Sequence, residues 1–236
     1  MHDEITKHTK NIYNEVKSSK HSFGEKVKEI LVEIFIIVFA VTISIWLHNW
    51  SEHRHQQKEV REFLADLTGD LKDDVGSMKS IRDTLSKQMV NCLFFQNLTQ
   101  QQCDSLEKVR EININLNLRI AATLVNIGDY EGFKSGGKMG YIEDKKLKKM
   151  ILIYYEQIIS WVTEMDNMNT AQTNKFYNFI EDHANEKDWS KIALNPKFKM
   201  IIKMASDQMN SSCNVYDYAI NYANEIIAEI DRQKSE

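Results

Sequence analysis

The stretch that decides the fold is residues 30–50, which read ILVEIFIIVFAVTISIWLHNW and form one long apolar run. A helix of about 20 residues is roughly 30 Å long, which matches the hydrocarbon core of a bilayer. Glu33 is the only charged residue up to Leu47, and Trp46 and Trp50 stand at the C-terminal end, where membrane proteins carry an aromatic belt. The run therefore predicts a transmembrane helix, with the lipid bilayer as its partner, in preference to a core helix of a soluble protein.

The position of the run predicts a permanent, single-pass anchor. It starts only after 29 residues, and no small-residue cleavage site follows it. Residues 10–29 carry five lysines, whereas residues 51–70 carry three basic side chains. Because basic residues favour the cytoplasmic side of a membrane, we expect residues 1–29 to form a cytoplasmic tail. The main domain would then lie outside the cytoplasm.

Composition excludes several classes of protein. The 236 residues include one proline and eight glycines, too few for the many turns of an all-β sandwich or barrel. The chain has 30 basic and 34 acidic side chains, so no basic excess predicts nucleic acid as a partner. Three cysteines are too few for a disulfide scaffold or a cysteine-rich zinc module.

Apolar residues recur at helical spacing through the rest of the chain. The predicted elements are a juxtamembrane helix over residues 51–76, a second helix over 77–98, a third segment with Asp104 as its N-cap, a glycine-rich loop over 128–140, a helix over 143–186, and a last helix over 197–230. Gly69 and Gly76 permit the juxtamembrane helix to bend or end. Long helices with short links bury their apolar stripes against each other. The fold class is therefore all-α, a transmembrane helix continuing into an antiparallel helical bundle over residues 77–236.

The third segment is ambiguous between strand and helix. Residues 112–118 alternate between apolar and polar side chains, as a strand would, but Ile112, Leu116, Ile120 and Leu124 also repeat every four residues. A lone strand would have no partner elsewhere in the chain, so we predict a helix.

Two stretches of the sequence resemble a family of bacterial membrane proteins that is classified only as a domain of unknown function. The first covers residues 33–74. The family has an apolar helix ending in INNWNE and then an FL-L-DL-D rhythm, matched here by Asn49, Trp50, Glu52, Phe63, Leu64, Leu67, Asp70, Leu71 and Asp74. His48 and Ser51 stand where the family usually has Asn, and Val32 replaces a Gly.

The second stretch covers residues 130–155, YEGFKSGGKMGYIEDKKLKKMILIYY, and resembles the family's LKSSGKL pattern with its later YY pair. Phe133 replaces Leu and Gly136 replaces Ser. The resemblance implies a single-pass protein with a helical domain. In a bacterial inner membrane, the orientation expected above would place that domain in the periplasm. The resemblance implies no activity.

Residues 132–139, GFKSGGKM, come close to a phosphate-binding P-loop. Met139 stands where that loop needs Ser or Thr to hold Mg²⁺, and the preceding segment is a poor buried strand, so we expect no nucleotide role for Lys138. Two alternatives remain. One is a tight turn between helices, and the other is a partner-binding loop whose backbone and cations grip anionic groups. The residues of this candidate loop are Lys134, Ser135, Gly136, Gly137 and Lys138.

Cys92 and Cys103 flank the predicted turn after the second helix. Outside the cytoplasm they could form a disulfide, which would add roughly 3 kcal/mol by loop closure. The alternative is one buried thiol on the helix and one exposed thiol. His48, Glu52 and His55 share a helix face, but the outer two are two turns apart, so we favour solvated side chains and expect no metal.

No constellation of residues in the sequence points to catalysis or to a cofactor, so we expect a protein that is not an enzyme. The first functional hypothesis is a membrane-anchored binding or scaffold domain with a protein partner. The alternative is a homo-oligomeric sensor or effector subunit, in which Glu33, Thr42 and Ser44 form hydrogen bonds between transmembrane helices.

Overall fold

A computed structural model describes residues 23–105, 118 and 122–235, and every regular element within them is helical. Residues 1–22 of the predicted tail lie outside the described residues. So do residues 106–117 and 119–121, which carry most of the ambiguous third segment. The chain divides into two compact units, Met1–Gln56 and Gln57–Glu236.

The first helix, α1, spans Phe23–Gln96, or 74 residues. Within the unit Met1–Gln56 it carries the apolar run, and none of the run's most apolar window is buried. Among the described residues this is the one helix that is long and apolar enough to cross a membrane. A core helix of a soluble protein would bury this surface, so the exposed run is compatible with a membrane anchor.

Within the unit Gln57–Glu236, α1 continues without a break through Gly69 and Gly76. The predicted division into a juxtamembrane helix and a second helix starting at residue 77 is therefore not found. Each glycine costs a helix about 1 kcal/mol relative to alanine. The side chains around them outweigh this cost, because Leu71 and Met78 are both 0% exposed.

Shorter and longer helices follow α1. They are α2 (Gln100–Ser105), α3 (Gly128–Ser135), a 3₁₀ turn (Lys138–Tyr141), α4 (Lys145–Ile153), a π turn (Tyr154–Ile158), α5 (Ile159–Asp182), α6 (Trp189–Ala193) and α7 (Pro196–Ser235). The helix predicted over 143–186 is thus present, with a π turn inside it.

The long helices pack as an antiparallel bundle around one hydrophobic core. From Arg82 of α1 to Leu98, just after α1 ends, the residue number rises while the number of the residue contacted on α7 falls from 217 to 199. The contacts are Arg82 with Asp217 at 2.7 Å, Ser86 with Cys213 at 3.8 Å, and Lys199 with the Leu98 carbonyl at 2.6 Å. The helices α4 and α5 also run opposite to α7, because Lys146 bonds Glu229 while Phe179 contacts Phe198. The predicted all-α bundle is confirmed.

Two local predictions are wrong. Residues 122–127 are not helical, because carboxylates from other helices hold their backbone: Thr123 N donates to Asp166 at 2.8 Å, and Asn126 N donates to Asp74 at 2.9 Å. Leu124, placed in the predicted stripe, is 82% exposed. The predicted loop 128–140 is mostly α3 and the 3₁₀ turn.

The next helix, α2, begins at Gln100 rather than after Asp104. Thr99 is the N-cap of α2, and it exchanges two hydrogen bonds with Gln102. The Thr99 N–H donates to Gln102 Oε1 at 2.9 Å, and Gln102 N donates to Thr99 Oγ1 at 3.4 Å. This is the pattern of a capping box, three residues apart.

Truncation of one leucine at a time in α1 tests the core. Leu71→Ala should lower the free energy of unfolding by about 2–5 kcal/mol, because a fully buried leucine leaves a cavity. Leu93→Ala, the same substitution at a position that is 45% exposed on the same helix, should cost less than about 1 kcal/mol. Thermal and denaturant unfolding of the detergent-solubilised chain, followed by circular dichroism, measures both. Equal losses would contradict the packing.

Candidate functional site

The two sequence segments with family-like motifs pack against each other. Phe63 of α1 stacks on Phe133 of α3, with ring centroids 4.0 Å apart and planes 7° apart. Eleven residues further along α1, Asp74 accepts a hydrogen bond at Oδ2 from the Tyr154 hydroxyl at 3.2 Å. The motifs therefore meet in one place, formed by α1, α3 and the π turn, which is the candidate functional site.

Asp74 is a fully buried carboxyl at the centre of this site, with 0% of the residue exposed. Its Oδ1 accepts the backbone N–H of Asn126 at 2.9 Å. Burial raises the pKa of Asp74 to about 6, against the lowering effect of the bonds from Asn126 and Tyr154, while Asp70 and Asp73 add repulsion. Asp74 thus titrates in a range where an ordinary aspartate is already fully ionised.

The π turn brings two adjacent tyrosines into the core. Tyr154 and Tyr155 are both buried there, so two bulky rings from adjacent positions enter the core. The Tyr155 ring stacks on Tyr130 of α3, with centroids 4.3 Å apart and planes 8° apart. Such π turns are rare and occur frequently at functional sites.

The Tyr155 hydroxyl is buried and has no hydrogen-bond partner among the described groups. Burial raises its pKa well above the usual value, and the carboxylates of Asp74, Asp70 and Asp129 raise it further. The hydroxyl therefore lies in a negatively charged environment. A buried polar group left without a partner costs about 1–3 kcal/mol.

The outer side of α3 is fixed by charged hydrogen bonds. Glu156 of the π turn accepts from the Lys134 ammonium and from the Tyr130 hydroxyl. The bond with Lys134 lowers the pKa of Glu156 and raises the pKa of Lys134. Lys138 donates to Glu59 Oε1 of α1 at 2.8 Å. Both cations of the predicted partner-binding loop are thus bound to carboxylates of the same unit.

The glycines of that loop terminate a helix. Gly137, which follows the C-cap Gly136 of α3, adopts a left-handed conformation with φ 71°, and its N–H donates to the Lys134 carbonyl at 2.9 Å. A side chain at Gly136 would bring its Cβ within 3.2 Å of the Gly132 carbonyl oxygen. A P-loop follows a strand and precedes a helix, whereas these glycines follow a helix. The geometry is that of the tight turn between helices.

A groove of about 310 Å³ lies between α1 and α3. We call it the acidic groove, because its lining includes Glu59, Glu62, Asp66 and Asp129 as well as Lys138. The stacked rings of Phe63 and Phe133 also line it. A second groove of about 340 Å³ lies on the other side of α3, and Tyr130, Tyr155 and Glu164 contribute to its lining.

The predicted disulfide between Cys92 and Cys103 is not formed. The two residues lie in different hydrophobic clusters, since Cys92 belongs to the main core whereas Cys103 packs with Leu98 and Ala193. Burial raises the pKa of the Cys92 thiol to about 11, which makes it a poor nucleophile. Cys213, 3.8 Å from the Ser86 hydroxyl, lines the contact between α1 and α7.

The candidate residues of the unit Met1–Gln56 lie on α1. The Thr42 and Ser44 hydroxyls donate to the carbonyls of Val38 and Ala40 in their own helix, at 2.7 and 2.8 Å. Glu33 is exposed. Because both hydroxyls already donate within the helix, they can only accept hydrogen bonds from a second helix, whereas the Glu33 carboxyl is available to it.

His48 lies 3.8 Å from Glu52 on the same helix. In the part of the chain that the structure describes, no group of three or more His, Cys, Asp or Glu side chains is arranged to hold a metal ion.

Comparison with known protein families matches residues 33–206 to DUF6090, a family of unknown function. The chain belongs to this family. The match includes both motif segments and all of the candidate site, so the resemblance read from the sequence is confirmed. DUF6090 membership assigns no activity to the site. No curated protein and no solved structure matches the chain.

Sequence reasoning did not predict that Asp74 and Tyr155 are buried polar groups at the centre of the candidate site. A signal was present for Asp74, because it falls at a buried position of the α1 stripe, between Leu71 and Met78, where an apolar residue is expected. Nothing in the sequence signals the π turn that buries Tyr155 beside Tyr154.

Stability should depend on pH through Asp74. Its folded-state pKa of about 6 lies above the ordinary value of 3.8, so the contribution of Asp74 to stability is fully present below about pH 4 and is lost as the pH rises through 6. Asp74→Asn stays neutral, and its amide oxygen can accept the Asn126 N–H while its NH₂ donates to the Tyr154 oxygen, which reverses the direction of that bond. Since one pKa unit corresponds to about 1.4 kcal/mol, the rise from 3.8 to about 6 should make the variant more stable than wild type by about 3 kcal/mol at pH 8, and the two should be nearly equal near pH 4.

Unfolding curves at pH 4, 6 and 8 measure this difference. Asp73→Asn is the matched control, since it removes the same charge from the next position, which is exposed, and should show no such pH dependence. An Asp74→Asn protein less stable than wild type at pH 8 would show that the ionised form is the better packed one.

Proposed function

We propose that this chain is a single-pass protein of a bacterial inner membrane that acts by binding another protein through the unit Gln57–Glu236. The proposal rests on two features that occur in the same chain. The apolar run is not buried by the protein, and the unit Gln57–Glu236 has a hydrophobic core of its own. The first requires an apolar environment, which a bilayer supplies. The second can present a folded surface beside that bilayer.

Binding is favoured over catalysis by the chemistry of the candidate site. Catalytic nucleophiles and bases usually have a pKa that is shifted from the ordinary value of the side chain toward neutrality. Burial shifts the pKa values of Cys92, Tyr154 and Tyr155 upward, away from reactive ionised forms. Lys134 and Lys138 are held as ammonium groups by carboxylates, which raises their pKa values. None of these five groups is activated. Asp74, whose pKa is shifted toward neutrality, is fully buried, and its two oxygens already accept hydrogen bonds from Asn126 and Tyr154.

The proposed orientation has residues 1–29 in the cytoplasm and the helical unit in the periplasm. The five-to-three excess of basic residues before the apolar run supports it. Buried thiols suit this compartment, because Cys92 and Cys103 are 0% and 5% exposed and therefore protected from oxidation.

A second function, a homo-oligomeric sensor or effector subunit, is favoured by one observation. Glu33 is exposed on the apolar run, where an unpaired carboxyl is costly in a bilayer. Association of the apolar helices, in coiled-coil fashion or through hydrogen bonds of Glu33 with Thr42 and Ser44 of a second copy, would satisfy it.

The orientation is tested by labelling intact cells with a membrane-impermeant maleimide. Glu181→Cys places a thiol at an exposed position of α5 and should be labelled without permeabilisation. Lys10→Cys, in the tail, should be labelled only after permeabilisation. The opposite pattern would reverse the orientation, and with it the periplasmic partner.

Photo-crosslinking in native membranes separates the two functions. A photoreactive residue at Asp66, Glu181 or Met200, all exposed on the helical unit, should give a product with a second, different protein. A photoreactive residue at Ile36 in the apolar run should give none. A ladder in steps of 27.6 kDa from Ile36, with nothing from the helical unit, would favour the homo-oligomer and overturn the binding function.

A further inference from the structure

The first turn of α4 is unusually rich in lysine. Four of the first five residues of this helix are Lys145, Lys146, Lys148 and Lys149, and the turn contains no acidic side chain. The N-terminal end of a helix carries partial positive charge, so cations at this end destabilise the helix and acids stabilise it. The lysines therefore oppose the local stability of α4. A local rule that is broken without a gain for the fold points to a functional role.

Most of this positive charge has no counterpart in the helical unit. Lys146 donates to Glu229 Oε2 at 3.0 Å. Among the described residues, no Asp or Glu lies within ion-pair distance of Lys145, Lys148 or Lys149. Lys145 and Lys149 are exposed and lie one turn apart on the same side of α4. Their ammonium groups are thus available to an external anion.

The carboxylates next to the start of α4 already have partners. Asp144 caps the helix through Oδ1, which accepts two backbone N–H groups at 2.7 and 3.0 Å, and its Oδ2 accepts from Gln233 at 2.6 Å. Glu229 accepts from Arg232 at 2.6 Å as well as from Lys146. The start of α4 and the end of α7 therefore form one edge of the unit. Residues 143–149 and 229–234 carry six basic and four acidic side chains, so this edge has an excess of positive charge.

The same edge is attached close to the apolar run. Gln57 of α1 donates through Nε2 to the carbonyl of Tyr141 at 3.0 Å, and Tyr141 is four residues before Lys145. Gln57 follows Trp50, the last residue of the apolar run, by only seven residues. Seven residues are about 10 Å long as a helix and cannot span more than about 25 Å, however the two units are arranged. The start of α4 is therefore kept near the surface of any bilayer that holds the run.

The anions that a bilayer surface offers are the phosphate groups of its lipids. Basic side chains beside a membrane are attracted to anionic lipids, and the attraction falls off within a Debye length of about 10 Å. Lysine suits this position, because its methylene stem can lie along apolar surface while the ammonium group reaches a phosphate oxygen. Charge and location thus favour the same ligand.

We propose that the lysine face of α4, formed by Lys145 and Lys149 with Lys148 beside them, binds the phosphate groups of anionic phospholipids in the membrane that anchors the chain. This inference rests on the membrane anchor of the proposed function. It goes beyond that function by naming a class of lipid and the surface that receives it. Such binding would restrict how the helical unit moves on its tether.

Native mass spectrometry of the detergent-solubilised full chain tests the lysine face. The probes are dioleoyl phosphatidylglycerol and dioleoyl phosphatidylcholine in equal amounts, which differ in the net charge of the headgroup. Wild type should retain phosphatidylglycerol in at least tenfold preference. Lys145→Gln combined with Lys149→Gln should reduce the preference to less than threefold, because each lysine near an anionic surface strengthens binding about fivefold.

The matched control is Lys175→Gln combined with Lys187→Gln. These two lysines are also exposed and also lack an ion-pair partner among the described residues, but they lie toward the other end of the unit, in α5 and in the link after it. The lipid preference of this control should stay within twofold of wild type. Equal losses in the two double variants would mean diffuse attraction and would overturn the lysine face as a site.

The melting temperature separates a role in binding from a role in folding. In neutral detergent without added lipid, Lys145→Gln combined with Lys149→Gln should melt no lower than wild type, because cations are removed from the N-terminal end of a helix. A lower melting temperature would show that the lysines serve the fold, and it would overturn the proposal.

Competition separates a lipid from a soluble anion. Polyglutamate peptide or inorganic phosphate, each added at the charge concentration of the lipid, should leave phosphatidylglycerol bound. Displacement by the peptide would make an acidic protein segment the better ligand, and displacement by phosphate would make it a soluble phosphate. Either result would overturn the lipid assignment.

Failure of the lysine face and failure of the proposed function are distinguishable. Alkaline carbonate should leave both wild type and the Lys145/Lys149 variant in the membrane, because the apolar run is unchanged. If wild type is extracted, the anchor of the proposed function fails, whatever the lipid preference in detergent. If wild type stays in the membrane but does not prefer phosphatidylglycerol, the anchor stands and the lysine face is not a lipid site.

Discussion

The buried carboxyl of Asp74 is the point to which three segments of the helical unit are tied. It belongs to α1, it accepts the backbone N–H of Asn126 from the non-helical segment before α3, and it accepts the hydroxyl of Tyr154 from the π turn. Neither α3 nor the π turn would have a fixed position against α1 through apolar contact alone, because such contact is not directional. A hydrogen-bonded carboxyl in the core defines one register, at the cost of burying a group that prefers to be ionised in water.

The acidic character of the site follows from the same constraint. Asp70, Asp73 and Asp74 lie within about one turn of α1, and Asp129 of α3 is brought beside them. Lys134 and Lys138, the cations next to α3, bind Glu156 and Glu59, and Lys58 lies 3.6 Å from Glu62. Lys134 and Lys138 therefore help to hold α3 and the turn after it in place, and the acids around Asp129 keep a net negative charge. The surface is opposite in sign to the one expected from the lysines in the sequence.

The long helices could be predicted because their stripes are periodic and their lengths exceed those of strands. The errors arose where local preference was opposed by contacts distant in sequence. Gly69 and Gly76 suggested a helix end, but burial of Leu71 and Met78 carries α1 through both. Residues 122–127 had a helical repeat, yet Asp74 and Asp166 take their backbone N–H groups. Pairing of Lys134 with Glu156 depends on a contact between segments, and no spacing rule within one segment could reveal it.

The π turn also limits the length of the chain between α4 and α5. A π turn is equivalent to one extra residue in an α-helix, so deleting a single residue from Tyr154–Ile158 would return the segment to regular α geometry. Everything after the deletion would then rotate by roughly 100° relative to everything before it. Leu147 and Ile151 on one side and Val162 and Phe176 on the other are buried in the same core, and they could not all remain there. The number of residues in this segment is therefore under as strict a constraint as their identity, whereas the link between α5 and α6 can change length without rotating either helix.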